Sequence, residues 1–443
     1  MNLARALRLS SPNIRPILSI VGAGGKTTAL FQLARQILSQ GQKQIIVTAT
    51  SHLGIWQIPL ADQHIVTEKS VELKNFPAEG VTLITGAVEG ERTKPVNEVV
   101  LNWLREFSNS RGIPMLIEAD GSRQKPLKAP AAHEPPLPPF TDTVLYIAGL
   151  SGLGKRLTDE TVHRAEIFSQ LSGLATGETI TPRSIVNLLT HPQGGLKNIP
   201  AGARRMVLLN QADTPELRSI GGGMAHELTG HFDTVLVGSL EQGELSVFEK
   251  CAGIILAAGE SGRYGLPKQL LDWKGKPFIR HVAETALRSG LEPVVVVTGR
   301  HHTEIASHLK DLPVILVQNP DYTQGQSTSV KKGLSALQAN VGGAVFLLAD
   351  QPQIPAEVIR ALVEAHTRGL SPILAPLVLE ERRANPVLFD RTVFPDLMQL
   401  TGDTGGRAVF HKHRMEYIPW HDDLLLFDVD KPEDYEKLKR LDL

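Results

Sequence analysis

Cysteine is nearly absent from this chain of 443 residues, in which Cys251 is the single one, and aromatic residues make up only 5%. One cysteine excludes an internal disulfide framework and any cysteine-rich zinc or iron–sulfur site built within one chain. A run of about 18 apolar residues is also missing, and the N-terminus has no apolar segment of about 7–15 residues before Pro12. From these absences we expect a cytoplasmic protein without a membrane partner.

An excess of charge of either sign is absent as well. Lys and Arg number 46 against 47 Asp and Glu, the formal net charge is −1, and 42% of the residues are hydrophobic. This composition disfavours a disordered chain and a polybasic nucleic-acid binder, although a local basic cleft is compatible with a neutral total. We therefore expect small-molecule substrates and no nucleic-acid partner.

The chain is long enough for two or three domains, since a domain typically has about 100–150 residues. Short apolar runs alternate with longer segments of helical periodicity, the pattern of parallel sheets covered by helices, so we predict an α/β fold with two domains. The segment 240–250 is polar, and a second strand, glycine loop and helix begin at Gly253. We accordingly predict a first domain at 1–240, a linker at 241–251 and a second domain at 252–443.

Eleven apolar runs are expected to form strands. Those of the first domain are 17–21, 44–50, 81–85, 115–119, 144–148, 206–209 and 234–237. Those of the second domain are 254–258, 294–298, 314–317 and 345–349.

A glycine-rich loop follows the predicted strand 254–258. Gly259 and Gly262 allow the backbone to approach a ligand closely, and backbone N–H groups in such a loop bind phosphate oxygens. Arg263 and Lys268 add positive charge where a reacting phosphate would lie. Taken alone, a loop of this kind is more often a surface turn that carries solvated cations.

Carboxylates follow two apolar stretches of the second half. Asp350 comes directly after the predicted strand 345–349, and Asp428 and Asp430 follow the stretch 424–427. Ligands of open α/β sheets bind at the carboxyl ends of strands, where carboxylates and triphosphate oxygens hold magnesium. The pattern predicts a Mg²⁺ site, while a helix cap is the alternative, above all for Asp430.

Six motifs occur in one order along residues 252–443. They are LAAGESGRYGLPKQLL at 256–271, NPDYTQGQSTSVKKGL at 319–334, LLADQP at 347–352, ANPVLF at 384–389, TGDTGGR at 401–407 and DVDKPEDY at 428–435. In these motifs the second half resembles the molybdenum cofactor cytidylyltransferase group of MobA-like nucleotidyltransferases.

The resemblance implies a Rossmann-like (GT-A-like) nucleotidyltransferase domain that transfers CMP from CTP to the molybdopterin cofactor and releases pyrophosphate. It implies catalytic roles for Arg263, Lys268 and Asp350, and metal binding by Asp350 with Asp428 or Asp430. The nucleotide-binding residues that it implies are Leu256, Ala257, Ala258, Gly259, Gly262, Arg263, Lys268, Ser327, Thr328 and Ser329. A guanylyl or sugar-phosphate nucleotidyltransferase on the same fold remains the alternative, because the sequence does not reveal the choice of base.

The motif VGAGGKTT, at 21–28, lies between a predicted strand and a predicted helix, which is the context of a phosphate-binding loop. Ile20 stands where the full P-loop pattern has glycine, so the match is to the shorter G-x-x-G-K-T-T variant of Mur ligases. We predict a P-loop-like parallel α/β domain that binds ATP or GTP. The predicted nucleotide-binding residues are Gly22, Gly24, Gly25, Lys26, Thr27 and Thr28. Glu118 and Asp120 come at the end of the predicted strand 115–119, as a magnesium-facing carboxylate would, and the predicted metal ligands are Thr27 and Asp120.

Two further groups in the first half have open interpretations. Arg123, Lys125 and Lys128, beside Asp120, are compatible with phosphate or cofactor binding and equally with a solvated loop. The segment 210–213, with sequence NQAD, is predicted to cap a helix rather than to read a guanine base.

Residues 14 to about 240 resemble the selenium-dependent hydroxylase accessory proteins of the YqeC type. The resemblance lies in VGAGGKTT, in IEADGSRQKPLKAPAAHEPPLP at 117–138 and in GLSGLGKRLTDETVHR at 149–164. It implies a role in the maturation of molybdenum hydroxylases, with the hydroxylase apoenzyme as a candidate partner. The first half is then either a nucleotide-consuming enzyme that assists cofactor handover or a nucleotide-gated insertion module without turnover.

Overall fold

The structure is a computed structural model that divides into two compact units, Met1–Phe248 and Glu249–Leu443. It describes residues 1–11, 14–69, 76–259, 267–379 and 382–440. None of the helices in these ranges is long and apolar enough to span a bilayer.

A nine-stranded sheet forms the centre of the first unit. Its strands are β1 (Ile17–Gly22), β2 (Gln44–Ala49), β3 (Gln63–Val66), β4 (Gly80–Thr85), β5 (Met115–Glu118), β6 (Thr143–Gly149), β7 (Arg204–Asn210), β8 (Thr234–Ser239) and β9 (Glu244–Phe248). Their order in space is β9-β8-β7-β6-β1-β5-β2-β4-β3. All neighbouring strands are parallel except β9, which is antiparallel to β8.

Helices connect these parallel strands, except for the first helix, which precedes β1. They are α1 (Leu3–Ala6), α2 (Lys26–Ser39), α3 (Glu98–Arg111), α4 (Ala165–Ser172), α5 (Pro182–Thr190) and α6 (Pro215–Leu228). The two-residue strands are Leu53–Gly54, Val88–Glu89 and Arg92–Thr93, which form a small separate sheet, and Leu127–Lys128, which pairs with Val162–His163. The α2 helix buries Leu30, Leu33, Ala34 and Ile37 against the sheet, so the apolar periodicity of this segment is explained by packing on one face.

The second unit is built on a mixed sheet. Its strands are β10 (Lys250–Ala257), β11 (Val294–Thr298), β12 (Val314–Gln318), β13 (Val341–Leu348), β14 (Ile373–Val378), β15 (Arg382–Arg383), β16 (Val387–Asp390) and β17 (Met415–Trp420). The order is β12-β11-β10-β13-β16-β14-β15, with β17 pairing parallel to β14. The strands β10 to β13 are mutually parallel, and β16 runs antiparallel to both of its neighbours.

Helices cover both faces of this sheet. They are α7 (Phe278–Arg288), α8 (His302–Leu309), α9 (Gln326–Ser335), α10 (Ala356–Gly369), α11 (Phe394–Leu397) and α12 (Pro432–Arg440). The adjacent β10 residues Ile254 and Ile255 belong to apolar clusters on opposite faces. A central parallel strand buried on both faces reads as a continuous apolar run, which is why the sequence predicted it. The predicted α/β class with parallel sheets is confirmed.

The predicted linker at 241–251 is wrong. Residues 244–248 form β9, and Lys250 already begins β10. Leu245 and Val247 are buried and alternate with the more exposed Glu244 and Ser246, so the segment is an edge strand with one polar face. Its charged residues led us to interpret it as a loop.

We propose that the second unit folds by itself, provided that the fragment begins early enough to keep β10 whole. Cys251 is 6% exposed and pairs with Gly343 in the sheet, so a start at residue 252 removes part of the central strand. We expect fragment 249–443 to unfold cooperatively on heating and fragment 252–443 to have a lower Tm. An insoluble 249–443 fragment would instead indicate a core shared by the whole chain.

Candidate functional site

The glycine loop of the first unit joins β1 to α2 in the middle of the sheet. Gly24 and Gly25 have φ angles of +85° and +125°. A Cβ on Gly24 would lie 2.6 Å from the Cα of Gly149, and one on Gly25 would lie 2.5 Å from Nδ2 of Asn210. Conformation and space therefore both require glycine, and the loop leads directly into the N-terminus of α2.

Asp120 anchors this loop from just beyond the end of the neighbouring strand β5. The backbone N–H of Gly22 donates to both Asp120 carboxylate oxygens at 3.1 Å. Lys26 Nζ donates to the Gly22 carbonyl at 2.8 Å and lies 3.4 Å from Asp120 Oδ1, while Lys128 Nζ lies 2.8 Å from Oδ2. Because both oxygens are engaged and the side chain is 3% exposed, the predicted role of Asp120 as a metal ligand does not fit its surroundings.

Glu118 is the carboxylate that meets Thr27. The Thr27 hydroxyl donates to Glu118 Oε2 at 3.3 Å and accepts from Gln57 Nε2 at 2.8 Å. Burial raises the pKa of Glu118, and the nearby charge of Lys26 opposes that rise. A hydroxyl and a carboxylate suit Mg²⁺. The described ranges contain no group of three or more His, Cys, Asp or Glu side chains arranged for a metal.

A cavity of about 740 Å³ opens in front of the loop. Lys26, Thr27 and Glu118 line it, together with the turn 121–125 and Trp56, which is 56% exposed. The predicted residues Gly24, Gly25 and Thr28 also line it, whereas Gly22 lies behind them against Ile147. The volume lies within the range typical of small-ligand sites.

Asn210 is a loop-holding residue that our sequence analysis assigned wrongly. Its Nδ2 donates to the Gly24 carbonyl at 2.7 Å, and its Oδ1 accepts from the Leu240 N–H at 3.0 Å. The cap of α6 is Thr214, which accepts from the Leu217 N–H at 3.2 Å. Asn210 therefore fixes the glycine loop from the end of β7 and does not cap the helix.

Lys128 belongs to a buried ion cluster. It is 2% exposed, and its Nζ contacts Glu134 Oε2 at 2.9 Å in addition to Asp120. Arg164 makes two hydrogen bonds to the Glu134 carboxylate, at 2.6 and 3.0 Å. Lys128 is thus structural, and of the three cations left open by the sequence only Arg123 and Lys125 line the cavity.

We expect Glu134→Gln to lower the free energy of unfolding at pH 7 by about 3 kcal/mol, because breaking a buried ion pair leaves a charge uncompensated. Burial alone would raise the pKa of Glu134, but hydrogen bonds from Arg164 and Lys128 outweigh it and lower the pKa to about 2. The contribution is therefore complete above the unfolded value of about 4.3 and is lost as the pH falls towards 2.

Urea unfolding at pH 7 and at about pH 3 measures this effect, and the difference between wild type and Glu134→Gln should shrink at the lower pH. Glu227→Gln is the matched control, since Glu227 pairs with Arg183 at 2.7 Å on the exposed surface. Its expected cost is below about 1 kcal/mol. An equal loss for the two variants would contradict the assignment.

The second unit has a cavity of about 360 Å³ where β10 and β13 end. Lys268, Asp350 and Ser329 line it together with the predicted segment 256–259. The predicted residues Gly262 and Arg263 lie outside the described residues.

Lys268, which lines this cavity, lies close to two carboxylates. Its Nζ is 2.9 Å from Asp430 Oδ1 and 4.0 Å from Asp350 Oδ2. Burial raises the pKa of Asp350, Lys268 opposes this, and the charges of Asp428 and Asp430 add to the rise. The carboxylates of Asp350 and Asp430 beside Lys268 are hard oxygen donors of the kind that Mg²⁺ prefers.

Three glutamines that the sequence analysis did not single out support this arrangement. Gln269 Nε2 donates to the carbonyls of Ala257 and Gly259 at 3.4 and 3.3 Å. Gln351 Nε2 donates to Asp428 Oδ1 at 2.5 Å, and Gln353 Nε2 donates to the Phe427 carbonyl at 2.6 Å. The available signal was a polar D-Q-P-Q segment directly after a buried strand.

The three predicted hydroxyl residues at the start of α9 separate in space. Ser329 lines the cavity. The Thr328 hydroxyl instead donates to the backbone carbonyls of Asp321 and Gly325 at 3.1 and 2.8 Å, and Ser327 is 2% exposed. Of the three, Ser329 is the one placed to reach a ligand directly.

A second pocket, of about 250 Å³, adjoins the first and shares Leu256, Gln326 and Leu348 with it. Asn385, Arg407 and Phe410 line its far side, and the guanidinium of Arg383 lies 4.4 Å from the centre of the Phe410 ring. Two adjoining pockets provide space for two reactants.

Two family models match the chain. Residues 253–417 match the MobA-like NTP transferase domain, and residues 18–166 match the YqeC protein. These ranges contain both glycine loops described above.

Three curated relatives illustrate the match. The uncharacterized protein YqeC of Escherichia coli (strain K12) is 33% identical over 44% of this chain and 75% of its own length. The purine catabolism protein PucB of Bacillus subtilis (strain 168) is 30% identical over 42% of this chain and 95% of its own length. A probable molybdenum cofactor guanylyltransferase of Bacillus cereus (strain Q1) is 31% identical over 31% of this chain and 66% of its own length.

The match to YqeC falls in the first unit, and the match to the NTP transferase model falls in the second. Each model includes the glycine loop of its own unit, and the NTP transferase model also includes Asp350. The chain therefore belongs to the YqeC family in its first half and to the MobA-like NTP transferase family in its second half, joined in one polypeptide.

Proposed function

We propose that the second unit is a molybdenum cofactor cytidylyltransferase, which transfers CMP from CTP to the molybdopterin cofactor. The observation that carries the proposal is the position of Lys268 between Asp350 and Asp430, in a cavity that the loop 256–259 lines and that adjoins a second pocket. The similarity to a probable molybdenum cofactor guanylyltransferase supports the acceptor class. The motifs at 256–271 and 347–352 favour the cytidylyl branch.

In the proposed reaction, an oxygen of the acceptor's terminal phosphate forms a bond to the α-phosphorus of CTP. The bond from that phosphorus to the bridging oxygen of the β-phosphate breaks, and pyrophosphate leaves with the electron pair. No side-chain nucleophile is needed, because the acceptor phosphate is already ionised. The main barrier is the meeting of two anions, which positive charge from Lys268 and from the proposed catalytic residue Arg263 lowers.

Asp350 would hold Mg²⁺ together with Asp428 or Asp430. When bound, the ion neutralises phosphate charge and orients the reacting groups. Gln351 restrains Asp428 from within the same loop that carries Asp350, so the two carboxylates are positioned together. Gln269 holds the carbonyls of Ala257 and Gly259 and so fixes the backbone of this loop, whose N–H groups would bind phosphate oxygens.

The pocket lined by Asn385, Arg407 and Phe410 is proposed to take the acceptor. An aromatic ring stacks on a flat heterocycle, and an amide and a guanidinium donate hydrogen bonds to its polar edge.

The decisive experiment incubates the purified chain with molybdopterin cofactor and each of CTP, GTP, ATP and UTP. Pyrophosphate release and the mass of the product are measured. We expect CTP to give the fastest turnover and a product heavier by CMP. Faster turnover with GTP would indicate guanylyl transfer. Pyrophosphate release that requires a sugar 1-phosphate would indicate a sugar-phosphate nucleotidyltransferase.

We further propose that the first unit binds ATP or GTP with Mg²⁺ at the loop 22–28. The support is the position of Lys26 and Thr27 at the N-terminus of α2, where Thr27 contacts Glu118. Asn210 and Asp120 fix the loop by hydrogen bonds to its backbone. Phosphate release by the chain, measured with and without molybdopterin cofactor and a molybdenum hydroxylase apoenzyme, separates the two interpretations. Turnover indicates an enzyme, and binding without turnover indicates a nucleotide-gated insertion module.

A further inference from the structure

A second cavity of about 740 Å³ lies beside the phosphate-loop cavity of the first unit. Five residues line both cavities, and they are His52, Arg92, Gly121, Arg123 and Lys125. The second cavity extends from them to Glu134, Asp159, His163 and Arg164. A ligand in this space would therefore lie next to whatever occupies the phosphate-loop cavity.

The lining of this cavity carries a surplus of positive charge. Four cations, Arg92, Arg123, Lys125 and Arg164, face two carboxylates. Glu134 is already paired with Lys128 and Arg164, and Asp159 Oδ1 accepts from the Ala165 N–H at 3.2 Å. Within the described ranges, neither Arg92 nor Arg123 forms an ion pair with a carboxylate.

The turn that carries Arg123 has an unusual backbone. Arg123 and Gln124 have φ angles of +50° and +60°, and the Lys125 N–H closes the turn on the Ser122 carbonyl at 3.1 Å. Two consecutive non-glycine residues in the left-handed region cost free energy, and such strain concentrates at functional sites. Lys125 is held in place by the Glu160 carbonyl, to which its Nζ donates at 2.6 Å.

The pKa of His163 reflects the positive charge that surrounds this cavity. Burial, followed by the charges of Arg164, Lys128 and Arg123, lowers its pKa to about 4, with Glu134 opposing them. The imidazole is therefore neutral at pH 7, so it can donate one hydrogen bond to an anion without adding charge.

We propose that this cavity binds a second ligand, a small molecule with a phosphate monoester group, which Arg123, Arg92 and Arg164 hold beside the nucleotide triphosphate. Several guanidinium groups around one point suit the three oxygens and double charge of a phosphate better than a carboxylate. The inference rests on the proposed function in one respect, namely that the ligand in the adjoining phosphate-loop cavity is a nucleotide. The second cavity and its lining do not depend on that proposal. It makes the first unit a two-ligand site, in which Arg123 contacts both anions.

The test titrates the full chain with phenyl phosphate while the phosphate loop is saturated with Mg²⁺ and a non-hydrolysable ATP analogue. We expect one saturable site by calorimetry, at least tenfold weaker binding in Arg92→Ala and Arg123→Ala, and unchanged binding in Lys155→Ala. Lys155 is an exposed lysine of the same unit that does not line either cavity. Unchanged Tm values confirm that the variants are folded.

Titrations with benzoate and with inorganic phosphate test the chemical class of the ligand. Benzoate binding as tight as phenyl phosphate binding would overturn the phosphate class, and inorganic phosphate binding as tight as phenyl phosphate binding would overturn the need for an organic group. If the analogue binds and phenyl phosphate does not, or if Arg123→Ala leaves it unchanged, the second site is refuted. A third outcome separates the two proposals. If the analogue fails to bind while phenyl phosphate still binds in wild type and in Lys26→Ala, and Arg123→Ala weakens that binding, the second ligand site is supported and the proposed nucleotide site is refuted.

Discussion

Asp350→Asn is expected to lower cofactor-dependent pyrophosphate release by about 100-fold or more, the scale of losing a main electrostatic contributor at a reacting phosphate. Asp350 lines the cavity at the end of β13 and lies 4.0 Å from Lys268 Nζ. The substitution keeps the shape of the side chain but removes the negative charge that the proposed Mg²⁺ site needs. The loss should therefore appear mainly in kcat at saturating CTP and should lessen when the Mg²⁺ concentration is raised.

Asp423→Asn is the matched control for this variant. Asp423 is exposed in the turn before Asp428, so the change in net charge is the same without removal of a cavity residue. Pyrophosphate release by the control should stay within about twofold of wild type, since exposed substitutions have small effects. Turnover of Asp350→Asn equal to that of the control would remove Asp350 from the site.

Lys26→Ala is expected to weaken ATP or GTP binding by about 2–3 kcal/mol, or about 30- to 150-fold, as for loss of charge-assisted hydrogen bonds to phosphate. Lys26 Nζ now donates to the Gly22 carbonyl and faces Asp120. Removing it leaves Asp120 paired with Lys128, so the loop keeps its anchor. The binding that remains should depend on Mg²⁺.

Calorimetric titration with each triphosphate measures this effect, beside a pyrophosphate-release assay. Lys43→Ala, at an exposed position before β2, is the control for the loss of a lysine in the same unit. Nucleotidyl transfer should be nearly intact in both variants, because the loop 256–259 belongs to another sheet. Equal affinities would make the motif at 22–28 a structural turn, and a joint loss of transfer would mean that the two loops serve one site.

Much of the fold follows from local patterns in the sequence. The apolar runs at 17–21 and 254–258 predicted the two central strands, because parallel strands covered on both faces need no polar alternation. The edge strand β9 was not predicted, because only one of its faces is buried and polar residues therefore interrupt its apolar ones. Its polar face looks like a loop until its pairing with β8 is known.

The candidate residues divide in the same way. Lys26, Thr27, Lys268 and Asp350 could be identified from the sequence, since each lies within a few residues of a glycine loop or a buried strand. The choice between Glu118 and Asp120 could not, because the two carboxylates are separated by one residue and follow the same strand. Asp120 meets the Gly22 N–H and Lys128, and Glu118 meets Thr27, only after β1 and β5 are aligned in the sheet.

By itself the sequence determined that this chain contains two strand, glycine-loop and helix units with carboxylates at strand ends, because these features are encoded over short spans. The tertiary structure alone decided which distant side chains complete each site. Asn210 holds a carbonyl 186 residues earlier in the chain, Gln351 reaches Asp428 across 77 residues, and Arg92 and Arg164 come to line one cavity with Arg123. Such contacts are set by strand order in the sheet, and no local pattern of residues specifies them.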